Sequence, residues 1–395
     1  MPELITVPLT DDLFHGAVEL ERVDDAVVPH RLPARARAQV DDPQLAMAES
    51  QPSGVRLVVD TEATVLELVT RPTKIVYVGA PARPDGVYDL LLDGVLHTRA
   101  TAAGGRTLRI DFSDGSFTPV DGPPAVVRFA GLPAGDKRVE VWLPHTEATQ
   151  VLGLRCDAPV RAATSTRPVW VHHGSSISHG SNADSPTGTW PALAAAAGGV
   201  ELVNLGFGGS ALLDPFTARA IRDLPADLIS VKLGINLVNA DLFRRRALGP
   251  AVHGFLDTIR DGHPDTPLLV VSALLCPIQE DTPGPLAPDF SAAAEGVVRF
   301  VPTGDPAEVT DAPTGRLSLR VIRAELARIV AERAATDPAL HYLDGTTLYG
   351  AADVDTHPLP DALHPDAATH RLIAERFAAH AFAPGGPFAA PTSAP

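Results

Sequence analysis

Val169-Trp170-Val171-His172-His173-Gly174-Ser175-Ser176-Ile177-Ser178-His179-Gly180 is a short run that stops abruptly at a glycine, two serines and a tight loop. A run this brief, apolar on both faces and closed by small residues, reads as a strand buried on both sides, as in a parallel sheet. The unit recurs downstream: residues 202–205, 228–233, 268–273 and 342–343 have the same character. Helical stripes lie between them. Val252, Phe255, Leu256 and Ile259 fall at i, i+3, i+4 and i+7, and Ile322, Leu326, Ile329 and Val330 form a second stripe. Strands alternating with helices predict an α/β domain, a mainly parallel sheet covered by helices on both faces. In such sheets ligands bind beyond the carboxyl ends of the strands, so the loops after each strand are where chemistry is expected.

The sequence before this point has a different texture. Within residues 54–143, short β-branched and aromatic bursts at 55–59, 65–69, 75–78, 88–92, 108–112 and 139–143 are separated by turn residues. Leu108-Arg109-Ile110-Asp111-Phe112 and Val139-Glu140-Val141-Trp142-Leu143 alternate apolar and polar with period two. Asp93-Gly94 is a tight hairpin pair. Strands without helices predict an antiparallel β-sandwich. The expected layout is a sandwich over residues 1–163, an α/β domain over 164–383 and a disordered tail over 384–395. Residues 277–315, rich in Pro, Gly and Asp, read as a long loop, which in a compact domain is functional or disordered.

Composition narrows the function classes. The 395 residues carry a net charge of −16, which argues against a grip on nucleic acid or an anionic membrane. An apolar fraction of 45% with 20% charged residues is that of a globular protein. Two cysteines, Cys156 and Cys276, exclude a disulfide framework and a cysteine-built metal site. The start, MPELITVPLTDD, has neither a basic segment nor an apolar core, so a cytoplasmic protein without a leader is expected.

Four loops hold candidate chemistry. Ser176 follows the first buried strand between Gly174 and Gly180. After the second strand comes Gly206-Phe207-Gly208-Gly209-Ser210-Ala211, whose spacing fits a dinucleotide fingerprint. That reading needs an acid at the end of the next strand, where Leu233-Gly234-Ile235-Asn236 stands instead. The other use of such glycines is a backbone N–H brought close to developing negative charge. Asn236 brings an amide donor to the same edge. Asp361 and His364 share one turn before the final helix, a spacing that lets the carboxylate accept from one imidazole nitrogen while the other faces a nucleophile. Asp353 and His357 form a competing pair, which spacing alone does not eliminate.

Taken in order, Gly174-Ser175-Ser176-Ile177, Gly209, Gly234-Ile235-Asn236 and Asp361-Ala362-Leu363-His364-Pro365 resemble the four blocks of the SGNH (GDSL-like) acyl hydrolases. The resemblance spans about 190 residues and departs from the common pattern at Ser175, where many members have aspartate. It implies a flavodoxin-like three-layer α/β/α fold, Ser176 as nucleophile, His364 as general base and Asp361 as its orienting acid. It implies an oxyanion hole from the Ser176 and Gly209 N–H groups and the Asn236 amide, with no metal or organic cofactor. A jelly-roll-like sandwich before such a domain is similar to two-domain bacterial members, among them carbohydrate acetyl esterases and an acyltransferase of a tetracycline pathway. Gly86-Val87-Tyr88-Asp89-Leu90 resembles an element of those amino-terminal domains, with altered order. The implied partner is a small acyl ester or acylated sugar. Transfer of the acyl group to a sugar or natural-product hydroxyl is the alternative within the enzyme class. A carbohydrate-binding protein with an inactive catalytic domain is the alternative outside it. His173, beside the nucleophile, and Glu280, in the long loop, are candidate substrate contacts. Trp142 and Tyr88 are read as core.

Overall fold

The computed structural model describes residues 3–79, 84–111, 114–291 and 298–389, and these divide into two compact units. The first holds residues up to 33, then 49–166 and 184–187. The second holds 34–48, 167–183 and 188 onward. Residues 34–48 thus cluster with the α/β unit, although they precede every strand of the 54–143 region.

The first unit is a sandwich of two sheets. One sheet runs in the order Ser116–Asp121, Arg106–Asp111, Val65–Tyr77, Ala148–Cys156, Ala26–His30, Glu19–Val23. The other runs Val160–Ala162, Arg56–Thr61, Lys137–Trp142, Val87–Leu92, Val95–Thr101. Alternation puts Leu57, Val59, Leu68, Leu90, Val139 and Val141 into one core. Tyr88 is fully buried with its hydroxyl 3.0 Å from Thr70 Oγ1, and Trp142 is buried under the Arg56 guanidinium, so both aromatics serve packing. Asp93 and Gly94, at φ 50° and 81°, form the hairpin turn between Val87–Leu92 and Val95–Thr101.

Two sequence expectations change here. Residues 65–69 and 75–78 are one strand, Val65–Tyr77, continuous through Pro72. On one side that strand pairs with Ala125–Ala130 as far as Thr70 and with Arg106–Asp111 from Thr73. Pro72 falls in the gap between those partners, where a missing N–H costs that side nothing. The pairing with Arg106–Asp111 is parallel, an exception in an otherwise antiparallel sandwich. Phe112, the expected end of that strand, lies outside the described residues. The strands before residue 54 went unread because a segment such as Glu19–Val23, charged and largely exposed at a sheet edge, lacks an apolar period.

The second unit is the expected three-layer fold. Its five strands are β1 (Val169–Gly174), β2 (Glu201–Gly206), β3 (Leu228–Lys232), β4 (Leu268–Val271) and β5 (Leu340–Leu343). They lie all parallel in the order β2-β1-β3-β4-β5. The direction of strand order reverses at β1, so the crevice for a ligand opens beyond the carboxyl ends of β1 and β3. The helices are α1 (Ala34–Arg37), α2 (Pro43–Ser50), α3 (Ser176–His179), α4 (Trp190–Gly198), α5 (Pro215–Asp223), α6 (Ile235–Asn239), α7 (Arg245–Arg260), α8 (Leu319–Arg333) and α9 (Ala367–Ala381). The two stripes read from the sequence are the buried faces of α7 and α8. Arg35 pairs with Asp223, and Arg219 bonds Gln39, tying the α1 segment to α5.

The expected loop at 277–315 is partly ordered. Leu286–Asp289 and Arg299–Pro302 pair as an antiparallel hairpin, with residues 292–297 between them outside the described residues. The expected disordered tail does not begin at 384. Phe388 N–H donates to Ala381 O, and the Phe388 ring is buried against Trp170, Phe377 and Phe382. Residues 390–395 lie outside the described residues. No helix among the described residues is long and apolar enough to cross a membrane.

Candidate active site

β1 ends at Gly174, and the chain turns at once into α3, placing Ser176 at the helix start beyond the sheet edge. Two glycines make this turn possible by close approach. A Cβ on Gly174 would stand 2.3 Å from Ser178 Oγ, and one on Gly206 would stand 2.5 Å from His179 N. Behind the helix runs a buried polar chain. Trp170 Nε1–H donates to Ser230 Oγ at 2.9 Å, that oxygen lies 2.7 Å from His172 Nδ1, and His172 Nε2 lies 2.8 Å from Ser178 Oγ. Burial, and then the charges of His173 and Lys232, hold His172 well below its ordinary pKa, so it is neutral. Such a neutral ring braces α3 from beneath without adding charge under Ser176.

Asp361 lies in a turn closed by Ala362 N–H donating to Leu359 O, with Ala362 at φ 69°, and His364 follows three residues after it. Asp361 Oδ1 accepts the N–H groups of Leu363 and His364 at 3.0 and 2.6 Å. Its Oδ2 accepts from His364 Nδ1 at 2.7 Å, and His364 Nε2 lies 2.9 Å from Ser176 Oγ. Burial alone would raise the Asp361 pKa, but the bonds and charge of His364 and these N–H groups outweigh it and hold the carboxyl below its usual range. An ionised Asp361 fixes the Nδ1–H tautomer, which leaves the Nε2 lone pair facing the serine hydroxyl. The rival acid, Asp353, is taken by both terminal guanidinium nitrogens of Arg376 and by Gly350 N–H, while His357 Nδ1 meets Thr356.

The loop after β2 passes directly over the serine. Phe207 N–H donates to Gly174 O at 2.8 Å, and a Cβ on Gly208 would stand 3.6 Å from Ser176 Cβ. Gly209 follows at φ 75°. Farther along, Ala211 N–H donates to Asn236 Oδ1 at 3.1 Å, which turns the Asn236 NH2 group away from Ala211. Asn236 itself is buried at the start of α6, after Gly234. The loop therefore joins Ser176, Gly209 and Asn236 at the ends of three neighbouring strands.

His173 and Glu280 are placed elsewhere than expected. His173 points to the opposite face of the sheet from His172, 1% exposed between Phe207 and Phe255, with Nδ1–H donating to Leu205 O. Strand alternation sends it into the core. Glu280 pairs with Arg323 of α8 and accepts from Cys276 N–H at 3.1 Å, so it pins the segment after β4 onto the helix. Two neighbours went unread in the sequence. Phe300, on the hairpin, packs edge-on to His364 with ring centroids 5.7 Å apart, and its N–H donates to Asp361 O. Gln44 of α2 donates from Nε2 to Gly208 O at 2.8 Å. Neither segment carries a period or motif pointing to the site; only the fold joins them to it.

Residues 173–372, half of the chain, match the model of the GDSL-like lipase/acylhydrolase family. No curated protein sequence matches. Among solved structures, the chain is similar to salicylyl-acyltransferase SsfX3 from a tetracycline biosynthetic pathway, with 28% identity, TM-score 0.75 and 95% of each chain covered. It is similar in fold to a protein of Bacteroides ovatus assigned as a GDSL-like lipase, at 17% identity and TM-score 0.67, with 95% of this chain and 96% of that one covered. A family two carbohydrate esterase from Clostridium thermocellum shares the fold at 14% identity and TM-score 0.55, covering 83% of this chain and 91% of that one. The family match, laid over a parallel sheet with Ser176, Asn236 and the Asp361–His364 turn at its carboxyl edge, shows that the chain belongs to the GDSL-like lipase/acylhydrolase family.

Proposed function

We propose that the protein is a serine-dependent acyl-ester hydrolase that removes short acyl groups from a sugar or small-molecule alcohol. The observation that carries this reading is the continuous chain from Asp361 Oδ2 through both nitrogens of His364 to Ser176 Oγ, with contacts of 2.7 and 2.9 Å. In this mechanism Ser176 Oγ attacks the ester carbonyl while His364 Nε2 takes its proton. Asp361 stabilises the resulting imidazolium and keeps its ring oriented. The N–H groups of Ser176 and Gly209 and the Asn236 amide receive the oxyanion. Collapse expels the alcohol with the proton held on His364, and water, activated by the same imidazole, releases the acid.

A second reading, acyl transfer to a hydroxyl acceptor, is favoured by the 28% identity to a salicylyl-acyltransferase across 95% of both chains. The two share the acyl-enzyme and differ only in what attacks it. The test is turnover of p-nitrophenyl acetate and butyrate by the wild type and Ser176→Ala, with and without a sugar alcohol acceptor. Activity that drops at least about 10³-fold in the variant supports the serine mechanism. The ratio of free acid to acylated sugar then separates hydrolysis from transfer. A Ser176→Ala protein as active as the wild type would overturn both readings.

A further inference from the structure

We infer that Gln44, from the segment between the sandwich strands Ala26–His30 and Arg56–Thr61, is a positioning residue for oxyanion stabilisation; this rests on the reading of Gly209 N–H as an oxyanion donor. Gln44 lies far outside residues 173–372, so nothing in the family match bears on it. Asp42 Oδ1 accepts Gln44 N–H at 2.9 Å and Asp42 O accepts Ala46 N–H, which seats the residue in the first turn of α2. From there its side chain lies flat over the glycine pair. Nε2 donates to Gly208 O at 2.8 Å, and a Cβ on Gly209 would stand 3.1 Å from Gln44 Cγ and 3.3 Å from Nε2.

The carbonyl that Gln44 holds and the N–H that would meet the oxyanion belong to one peptide unit. In a trans peptide the C=O and N–H point in opposite directions, so anchoring Gly208 O aims Gly209 N–H. The anchor matters because of the turn type. Ser210 N–H donates to Phe207 O at 3.1 Å, closing a β-turn over 207–210 with Gly209 at φ 75° in its third position, as in type II. Types I and II differ by rotating the middle peptide through about half a turn. With glycine on both sides of that peptide, no side chain opposes the rotation. A flip would turn Gly208 O toward Ser176 and Gly209 N–H away, replacing a donor with an acceptor where negative charge develops. Gly208 N–H, 3.4 Å from His179 Nδ1, restrains the preceding peptide only. Gln44 restrains the middle one, and by donating to its oxygen also polarises the N–H at its other end.

The test compares Gln44→Met, equal in length without a donor, and Gln44→Glu, which sets an acceptor against the Gly208 carbonyl. Ser176→Ala and Asn236→Ala serve as references. Turnover of p-nitrophenyl acetate is measured together with affinity for a boronic acid that forms a tetrahedral adduct on the serine. Gln44→Met is expected to lower kcat about 10-fold with KM within about twofold, since an oxyanion contact acts in the transition state alone. Boronic acid affinity should fall by the same factor as kcat/KM, and Gln44→Glu should lose more than Gln44→Met. A Gln44→Met enzyme with kcat within twofold of wild type, while Ser176→Ala is inactive and Asn236→Ala impaired, would overturn the role of Gln44 and leave the site reading standing. A raised KM with unchanged kcat would overturn it too, assigning Gln44 to ground-state binding. Full activity in Ser176→Ala would remove the site reading and this inference with it.

Discussion

At the scale of single residues, the site separates groups that act on charge from groups that hold those groups still. Asp361 is the clearest case of the second kind. It accepts two backbone N–H bonds and one from His364, so Asp361→Asn preserves much of the turn while removing the charge that selects the Nδ1–H tautomer. The expected result is a kcat loss of roughly 10²–10⁴ with little change in KM, measured on the same nitrophenyl esters. In the proposed mechanism Asn236→Ala removes one of the oxyanion donors, and the variant is expected to cost on the order of 10²–10³ in kcat. A loss confined to KM in either variant would contradict the roles given to them. Asp361 and His364 were legible in the sequence because three residues on one turn bring their side chains together whatever the rest of the chain does. Spacing did not choose them over Asp353 and His357; the resemblance of the ordered blocks did. What the structure adds is Arg376, a residue of α9 that occupies Asp353 from outside the local turn.

At the scale of elements, the segment between β4 and α8 is where the sequence misled most. Its Pro, Gly and Asp content hides a hairpin that lays Phe300 against His364 and a carboxylate, Glu280, that is a fastener. Glu280→Ala should therefore lower the melting temperature by several degrees, as expected for leaving a largely buried Arg323 unpaired, while KM stays within about twofold. Thermal unfolding and initial rates on one preparation check this, and a large KM change without destabilisation would return Glu280 to substrate contact. Phe300→Ala removes the ring from the imidazole and the apolar cover it provides. Admitting water there should raise the share of free acid over acylated acceptor in the partition experiment.

At the scale of the whole molecule, buried imidazoles set a pH limit on stability. Burial pushes His173 down to about 4, its bond to Leu205 O only partly opposing this, and His172 lies well below its ordinary 6.5 as well. Between about 4 and 6.5 the unfolded chain binds protons that the folded chain refuses. Their contribution is thus complete above 6.5 and is lost as pH falls through that window, on the order of 3 kcal/mol for His173. Asp214 works the other way. Burial, and then Asp42, raise it to about 6, so its contribution is lost as pH rises toward 6. Asp214 is partly open to solvent and the two histidines are fully enclosed, so the histidines win. Urea midpoints should fall from pH 7.5 to 4.5, and His173→Phe should flatten that fall; an unchanged slope would remove His173 from the account.

The sequence by itself determined the two fold types and the strand ends at which chemistry collects. Period-two alternation, buried apolar runs and helical stripes are short-range signals that a local window carries in full, and a residue just past a strand end reaches the sheet edge by covalent connection alone. Tertiary structure alone decided which side chains meet there from afar. It sent His173 into the core, committed Glu280 to Arg323, passed Val65–Tyr77 straight through Pro72 and brought Gln44 to Gly208 across 164 residues. Contacts of that span arise from the packing of whole helices and sheets, which depends on every element at once, so no local pattern in the chain encodes them.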